Sequence, residues 1–124
     1  MSCENRFFYC KHCGNLVGLI HSSGVPMICC GEEMTELVPG SVDAAHVPVP
    51  TKKCSKVTVA VGEVPHPMEE NHYIDWIYLQ TERGGQRKCL KPGEEPVAVF
   101  SLTDDKPVAV YAHCNLHGLW KADM

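Results

Sequence analysis

The sequence lacks the features of a membrane or exported protein. No apolar run approaches the ~20 residues that a membrane-spanning helix requires. The first residues, MSCENRFFYCKHC, lack the basic segment followed by an apolar segment that marks a signal peptide. We therefore expect no membrane partner and a cytoplasmic location, where thiols stay reduced and cysteines more often serve metals than disulfides.

The chain also lacks a basic excess. Its 11 Lys and Arg stand against 15 Asp and Glu, and the formal net charge is -4. Proteins that bind nucleic acid normally carry a basic surface for the phosphates. We expect no nucleic-acid partner, and an anionic substrate would need a local positive patch.

No segment has the periodicity of a helix of three turns, and alternating apolar residues instead predict strands. The residues predicted to share a face are Val57, Val59 and Val61 in one strand and Ile74, Trp76 and Tyr78 in another. Residues 96–102 and 107–113 flank the turn-forming TDDK and predict a hairpin, and RGGQ (83–86) predicts another turn. This pattern favours an all-β sandwich.

What the chain has instead is cysteine and histidine, eight and seven residues respectively. Five of the cysteines lie in the first 38 residues, a segment too small to fold without a staple. We predict a metal-stapled domain over 1–38 and a β-sandwich over 39–124. Prolines at 39, 48 and 50 indicate an extended linker over 39–50.

Four of the early cysteines have metal-ligand spacing. Cys10 and Cys13 form a C-x-x-C knuckle, and Cys29 and Cys30 add two thiols after a loop. Four thiolates can bind one tetrahedral ion, and adjacent cysteines predict a distorted site. Spacing alone leaves zinc and iron equally open. A strained vicinal disulfide is less favoured.

The other cysteines divide into two groups. Cys3, Cys54 and Cys89 have no metal spacing, and we expect free or buried thiols. Cys114 and His117, in HCNLHGLW, are three residues apart and need partners from other loops.

Three histidines are candidates for those partners. His66 and His72 lie six residues apart in the polar loop VPHPMEENHY, and His46 lies in the linker. A single exposed histidine is usually only solvated, but two in one loop favour a metal site.

The ordered motifs C-x-x-C, CC, HVPV (46–49), GEVPHPMEENHYIDWI (62–77) and HCNLHGLWK (113–121) together resemble desulfoferrodoxin, the two-iron superoxide reductase family, over nearly the whole chain. The resemblance implies a desulforedoxin-like domain followed by an immunoglobulin-like sandwich. It implies one rubredoxin-like iron held by Cys10, Cys13, Cys29 and Cys30. It implies a second, catalytic iron with His46, His66, His72 and His117 as equatorial ligands and Cys114 as the axial thiolate.

The family's activity is one-electron reduction of superoxide to hydrogen peroxide, without production of dioxygen. The resemblance implies that the enzyme consumes electrons from a small donor such as rubredoxin, with the four-cysteine iron as a relay, and that it forms a homodimer. Five ligands leave one position of the catalytic iron open to a small anion, whereas a structural site would be closed.

One departure from the family concerns the residues before the first ligand. The family commonly has Glu-Lys there, the lysine attracting the anion and the glutamate capping the oxidised iron, whereas this chain has Ala44-Ala45. Lys52 and Lys53, or Lys121, are the candidates for restoring a positive potential.

Two competing interpretations remain open at this point. One is a protein that only transfers electrons or stores iron, and the other is a zinc-stapled interaction module. The remaining histidines are not predicted ligands: His12 and His21 are expected at the surface, and His113 should face away from its neighbour Cys114.

Overall fold

The computed structural model describes residues 5–124, which form twelve strands and no helix. They divide into two compact units, one ending at Val38 and the other spanning Pro39–Met124. No helix in this part of the chain is long and apolar enough to cross a membrane. The predicted fold class, a small four-cysteine unit followed by a β-sandwich, is confirmed.

The first unit consists of very short strands. They are β1 (Arg6–Tyr9), β2 (Leu16–Leu19), β3 (Ile28–Cys29), β4 (Glu32–Glu33) and β5 (Thr35–Glu36), arranged as a sheet β2-β1-β5 and a hairpin β3-β4. Among its described residues, only Phe7 and Cys10 are buried apolar side chains. Apolar burial of this extent cannot stabilise a fold alone.

The second unit is a sandwich of two antiparallel sheets. Its strands are β6 (Pro48–Lys53), β7 (Lys56–Val61), β8 (Ile74–Thr81), β9 (Gly84–Cys89), β10 (Val97–Ser101), β11 (Pro107–Cys114) and β12 (Gly118–Asp123). The sheet orders are β10-β7-β6 and β12-β11-β8-β9. Twelve buried residues, including Phe100, Ile77 and Leu79, form one core between the sheets.

The predicted alternation holds in β7 but breaks in β8. Val57, Val59 and Val61 are all buried in the core, as predicted. In β8, Ile74 faces the core together with Ile77 and Leu79. The register with β11 shifts between His113 and Cys114, so an extra residue of β8 interrupts the two-residue period. The prediction that Trp76 and Tyr78 share the face of Ile74 is therefore wrong.

The two strands flanking TDDK do not form the predicted hairpin. β10 pairs with β7, whereas β11 pairs with β8 and β12, so the chain changes sheets between Ser101 and Pro107. The turn residues are there, but they form a corner of the sandwich. The turn at RGGQ does join paired strands, β8 and β9, as predicted.

The predicted linker is shorter than expected. Pro48, Val49 and Pro50 belong to β6 and pair with β7. β6 is an edge strand, where proline is tolerated because its missing N–H can face outward. The irregular segment therefore ends at Val47, immediately after His46.

Candidate metal centres

The four early cysteines meet in the first unit. One sulfur from each of Cys10, Cys13, Cys29 and Cys30 lies within 4.8 Å of the others, and the Sγ atoms of Cys13 and Cys29 are 3.5 Å apart. Sulfurs placed tetrahedrally at 2.3 Å from one ion would be about 3.8 Å apart. The cluster therefore has the dimensions of a four-thiolate site.

A tight turn explains how adjacent cysteines can serve one ion. β3 and β4 are joined by Cys30 and Gly31, with φ of 52° and 78°. Two consecutive positive φ values are typical of a type I′ hairpin turn. This backbone carries Cys30 out of the strand alternation that would otherwise send its side chain away from that of Cys29.

The pKa values of these thiols indicate that a bound cation would stabilise them as a group. The backbone N–H of Cys13 is the main cause that lowers the pKa of Cys10 to about 6. Sharing a proton with Cys13 is the main cause that raises the pKa of Cys30 to about 12. Without a cation, one thiolate forms at the expense of its neighbours, and a metal ion is what allows all four to ionise.

The second cluster is a closed ring of four imidazoles. Neighbouring ring centroids are 4.8 Å apart for His46 and His66, 4.8 Å for His66 and His72, 5.0 Å for His72 and His117, and 4.8 Å for His117 and His46. Four side chains from three separate segments therefore surround one point.

Cys114 approaches this ring from the core. Its side chain is fully buried, and its Sγ lies 3.6 Å from Nδ1 of His117. The ligand atoms of His46, His72, Cys114 and His117 all lie within 4.8 Å of one another. His66 lies outside that tight group, but its ring completes the square.

Hydrogen bonds fix which nitrogen His46 and His66 direct inward. Nδ1–H of His46 donates to Asp43 Oδ2 at 3.0 Å, and Nδ1–H of His66 donates to the carbonyl of Pro67 at 2.8 Å. Both acceptors lack a proton, so Nε2 keeps its lone pair. Burial is the main cause that lowers the pKa of His66, which favours the neutral imidazole that metals bind.

Two of the inward nitrogens have no partner. The Nε2 atoms of His66 and His72 are buried, and neither atom has a hydrogen-bond partner. Buried polar atoms are normally satisfied, and two unpaired nitrogens in one ring fit the role of ligands to a metal ion. The donor set, neutral imidazoles with one thiolate, suits iron.

Connections at one end of the sandwich bring these ligands together. His66 and His72 lie between β7 and β8, and Cys114 ends β11 just before the turn that carries His117. Asn115 joins the two loops: it accepts a hydrogen bond from Tyr73 N at 2.9 Å and donates one to Asn71 O at 3.1 Å.

The sequence did not reveal the residues that support His46. Trp120 stacks on its ring at a centroid distance of 5.0 Å and an angle of 18°, and Trp120 also donates to His117 O. Gly40 packs against Trp120 so closely that a Cβ there would lie 2.5 Å from a ring carbon. Spacing could have suggested Asp43, three residues before His46, but not Gly40 or Trp120.

The candidate lysines do not lie at the ring. Lys52 and Lys53 end β6, four and five residues beyond Pro48, which is about 13 and 17 Å along an extended strand. Lys121 contacts Asp123 at 3.5 Å and lies over the Tyr111 ring at 5.6 Å. The structure therefore does not bring any of the three beside the histidines.

Among residues 5–124, the remaining histidines and cysteines take no part in either cluster. His12 is exposed beside Glu32, His21 is exposed, and His113 stacks on Trp76 and bonds to Asp75 at 2.7 Å. Cys54 and Cys89 are free thiols at the surface. The prediction for Cys3 lies outside the described residues.

Comparisons with known proteins identify relatives along the whole chain. The desulfoferrodoxin family model matches residues 38–123. The desulfoferrodoxin of Nitratidesulfovibrio vulgaris is 45% identical over 123 residues, with 97% of each chain covered.

Solved structures give the same result. The superoxide reductase from Treponema pallidum matches with a TM-score of 0.86 and 36% identity, covering 97% of this chain and 98% of that one. The one-iron superoxide reductase from Giardia intestinalis covers 66% of this chain and 98% of its own, with a TM-score of 0.58 and 32% identity.

Proposed function

Because the chain belongs to the desulfoferrodoxin family and is a superoxide reductase with two iron centres, we propose a role for each clustered residue. Four thiolates hold one iron, and four imidazoles with one thiolate hold the other. The proposed ligands are Cys10, Cys13, Cys29 and Cys30 for the first and His46, His66, His72, His117 and Cys114 for the second.

The reaction joins one superoxide, one electron and two protons into hydrogen peroxide. The ligand set at the histidine ring would hold an iron, and that iron, when bound in its ferrous state, would supply the electron. No second superoxide is oxidised, so dioxygen does not form and an external reductant is required.

The proposed ligands differ in their access to water. Cys114 is buried on the core side of the ring, whereas His117 is exposed. We propose that superoxide reaches the ring from the solvent side, opposite the thiolate. Water or an acid at this open side supplies both protons.

The two units divide the work in this proposal. The unit ending at Val38 is the four-cysteine iron domain, and residues 39–124 are the reductase domain, whose first segment supplies His46. Exposure of Cys13 and Cys30 supports electron entry at the four-cysteine iron. We propose that the protein is a cytoplasmic homodimer. We propose that it receives electrons from a small donor such as rubredoxin.

The two lysines that could supply a positive potential lie far from the histidine ring. Lys52 and Lys53 are proposed to act on superoxide only at long range, because of their place at the far end of β6. At physiological salt the Debye length of ~8 Å screens charges at such a distance.

The ring of imidazoles above a buried thiol is the observation that carries this assignment, and Cys114→Ser tests it. We expect superoxide reduction to fall to the uncatalysed background, while the absorption of the four-cysteine iron is unchanged. The control is Cys54→Ser, which removes an exposed thiol outside both clusters. A Cys114→Ser protein that consumes superoxide at the parent rate would contradict the assignment.

A further inference from the structure

Asp43 makes two separate sets of contacts in the segment that leads to His46. Its Oδ1 accepts a hydrogen bond from Ala45 N at 2.9 Å, and its main-chain oxygen accepts from the N–H groups of His46 and Val47. These bonds shape the turn. Its Oδ2 accepts from Nδ1–H of His46 at 3.0 Å, and this bond joins two side chains instead of backbone groups of the turn.

The bond from His46 to Asp43 distinguishes this histidine from its neighbour. His66 has a neutral carbonyl, that of Pro67, behind its ring, whereas His46 has an ionised carboxylate. The Asp43 carboxylate accepts hydrogen bonds from both Ala45 N and Nδ1–H of His46, one on each oxygen. A carboxylate behind a ligand imidazole fixes its orientation and raises its basicity.

In this chain the acidic side chain nearest in sequence before His46 lies behind the imidazole, on the side away from the ring centre. Ala44 and Ala45 carry no polar side chain to the front of the ring, and Asp43 lies behind His46. Trp120 holds the flat face of the same imidazole. His46 is thereby constrained both at its face and at its outer nitrogen.

We propose that Asp43 is a positioning residue for His46: it holds Nε2 toward the centre of the ring and lowers the reduction potential of the iron bound there. The inference rests on the proposed role of His46 as a ligand. A more basic imidazole stabilises the ferric ion more than the ferrous ion, which gives the direction of the change in potential.

Two substitutions separate this role from the shape of the turn. Asp43→Ser keeps a short oxygen that can accept from Ala45 N, as serine does in such turns, but the side chain is too short to reach the imidazole. Asp43→Asn keeps the length and removes the charge. Asp75→Asn is the matched control, because Asp75 also bonds to a histidine, His113, which lies outside the ring.

The test is a redox titration of the full-length, iron-loaded protein, followed through the absorption of the histidine-site iron, with chelator competition for iron affinity. We expect Asp43→Ser to weaken iron retention roughly 10–100-fold. We expect both Asp43 variants to have a higher reduction potential than the parent and the Asp75→Asn control.

If Asp43→Ser has the iron affinity and reduction potential of the parent, Asp43 acts only in the turn and the proposal is wrong. If Asp43→Ser does not fold, Asp43→Asn decides, and an unchanged potential in it would overturn the proposal. His46→Ala distinguishes the underlying assignment: retention of the iron in that variant would refute His46 as a ligand, whatever Asp43 does.

Discussion

The two metal clusters differ in what surrounds their ligands. The four cysteines lie on strands of two to four residues and their connecting turns, in a unit with two buried apolar side chains among its described residues. The histidine ring lies at one end of a sandwich with a core of twelve buried residues. We therefore expect the first cluster to create most of the order around it, and the second to lie on a fold that its own apolar core stabilises.

Removing a cysteine ligand should have the largest effect on this difference between the two units. We expect Cys13→Ser to lose the four-cysteine iron and the order of residues 5–38, because structural metal sites contribute on the order of 10 kcal/mol to folding. The sandwich and its iron should remain. Amide hydrogen exchange across the chain, with iron content, measures both units at once.

Cys89→Ser is the control for this variant, since Cys89 is exposed and outside both clusters. Protected amides in residues 5–38 after loss of the iron would mean that the unit does not need its metal. Loss of both irons would mean that the two sites are not independent.

An added methyl group tests the support of the histidine ring. Gly40→Ala would place Cβ 2.5 Å from a carbon of Trp120, and Trp120 stacks on His46. Overpacking of this kind typically costs about 1–3 kcal/mol. We expect a lower melting temperature for the sandwich and a shifted absorption of the histidine-site iron.

Gly18→Ala is the matched control in the first unit, because its Cβ would meet Phe7 at an ordinary 3.6 Å. Melting and spectra of that variant should match the parent. If Gly40→Ala also matches the parent, the contact between Gly40 and Trp120 does not position His46.

The smallest expected effect concerns the two distant lysines. Changing Lys52 and Lys53 to alanine should slow the reaction with superoxide at low ionic strength, where the Debye length is ~30 Å, and should have no effect near 0.15 M salt. Rates from pulse radiolysis across a salt series measure this. A slower double variant at physiological salt would place these charges closer to the reacting anion than their strand position allows.

The proposed ligands could be singled out from the sequence because cysteine and histidine are chemically distinctive and their motifs are local. The irregularity of β8 could not be predicted from the sequence, because the extra residue opposite β11 arises from pairing between distant strands. Similarly, the TDDK turn has the composition of a hairpin, and only the packing of the two sheets makes it a corner.

The residues around His46 show the same limit. Gly40 and Trp120 are eighty positions apart, and their contact depends on the segment before β6 running along β12. The distance of Lys52 and Lys53 from the ring depends on where β6 begins. Pro48 and Pro50 indicate a linker by their residue type, but they already belong to this strand.

The optical spectrum of the oxidised protein, recorded with its metal content, tests most directly whether two separate irons occupy two separate ligand sets. We predict iron near two per chain and two ferric absorption bands, of which Cys13→Ser removes one and Cys114→Ser removes the other. Zinc in place of iron, or one band that disappears in both variants, would contradict the account.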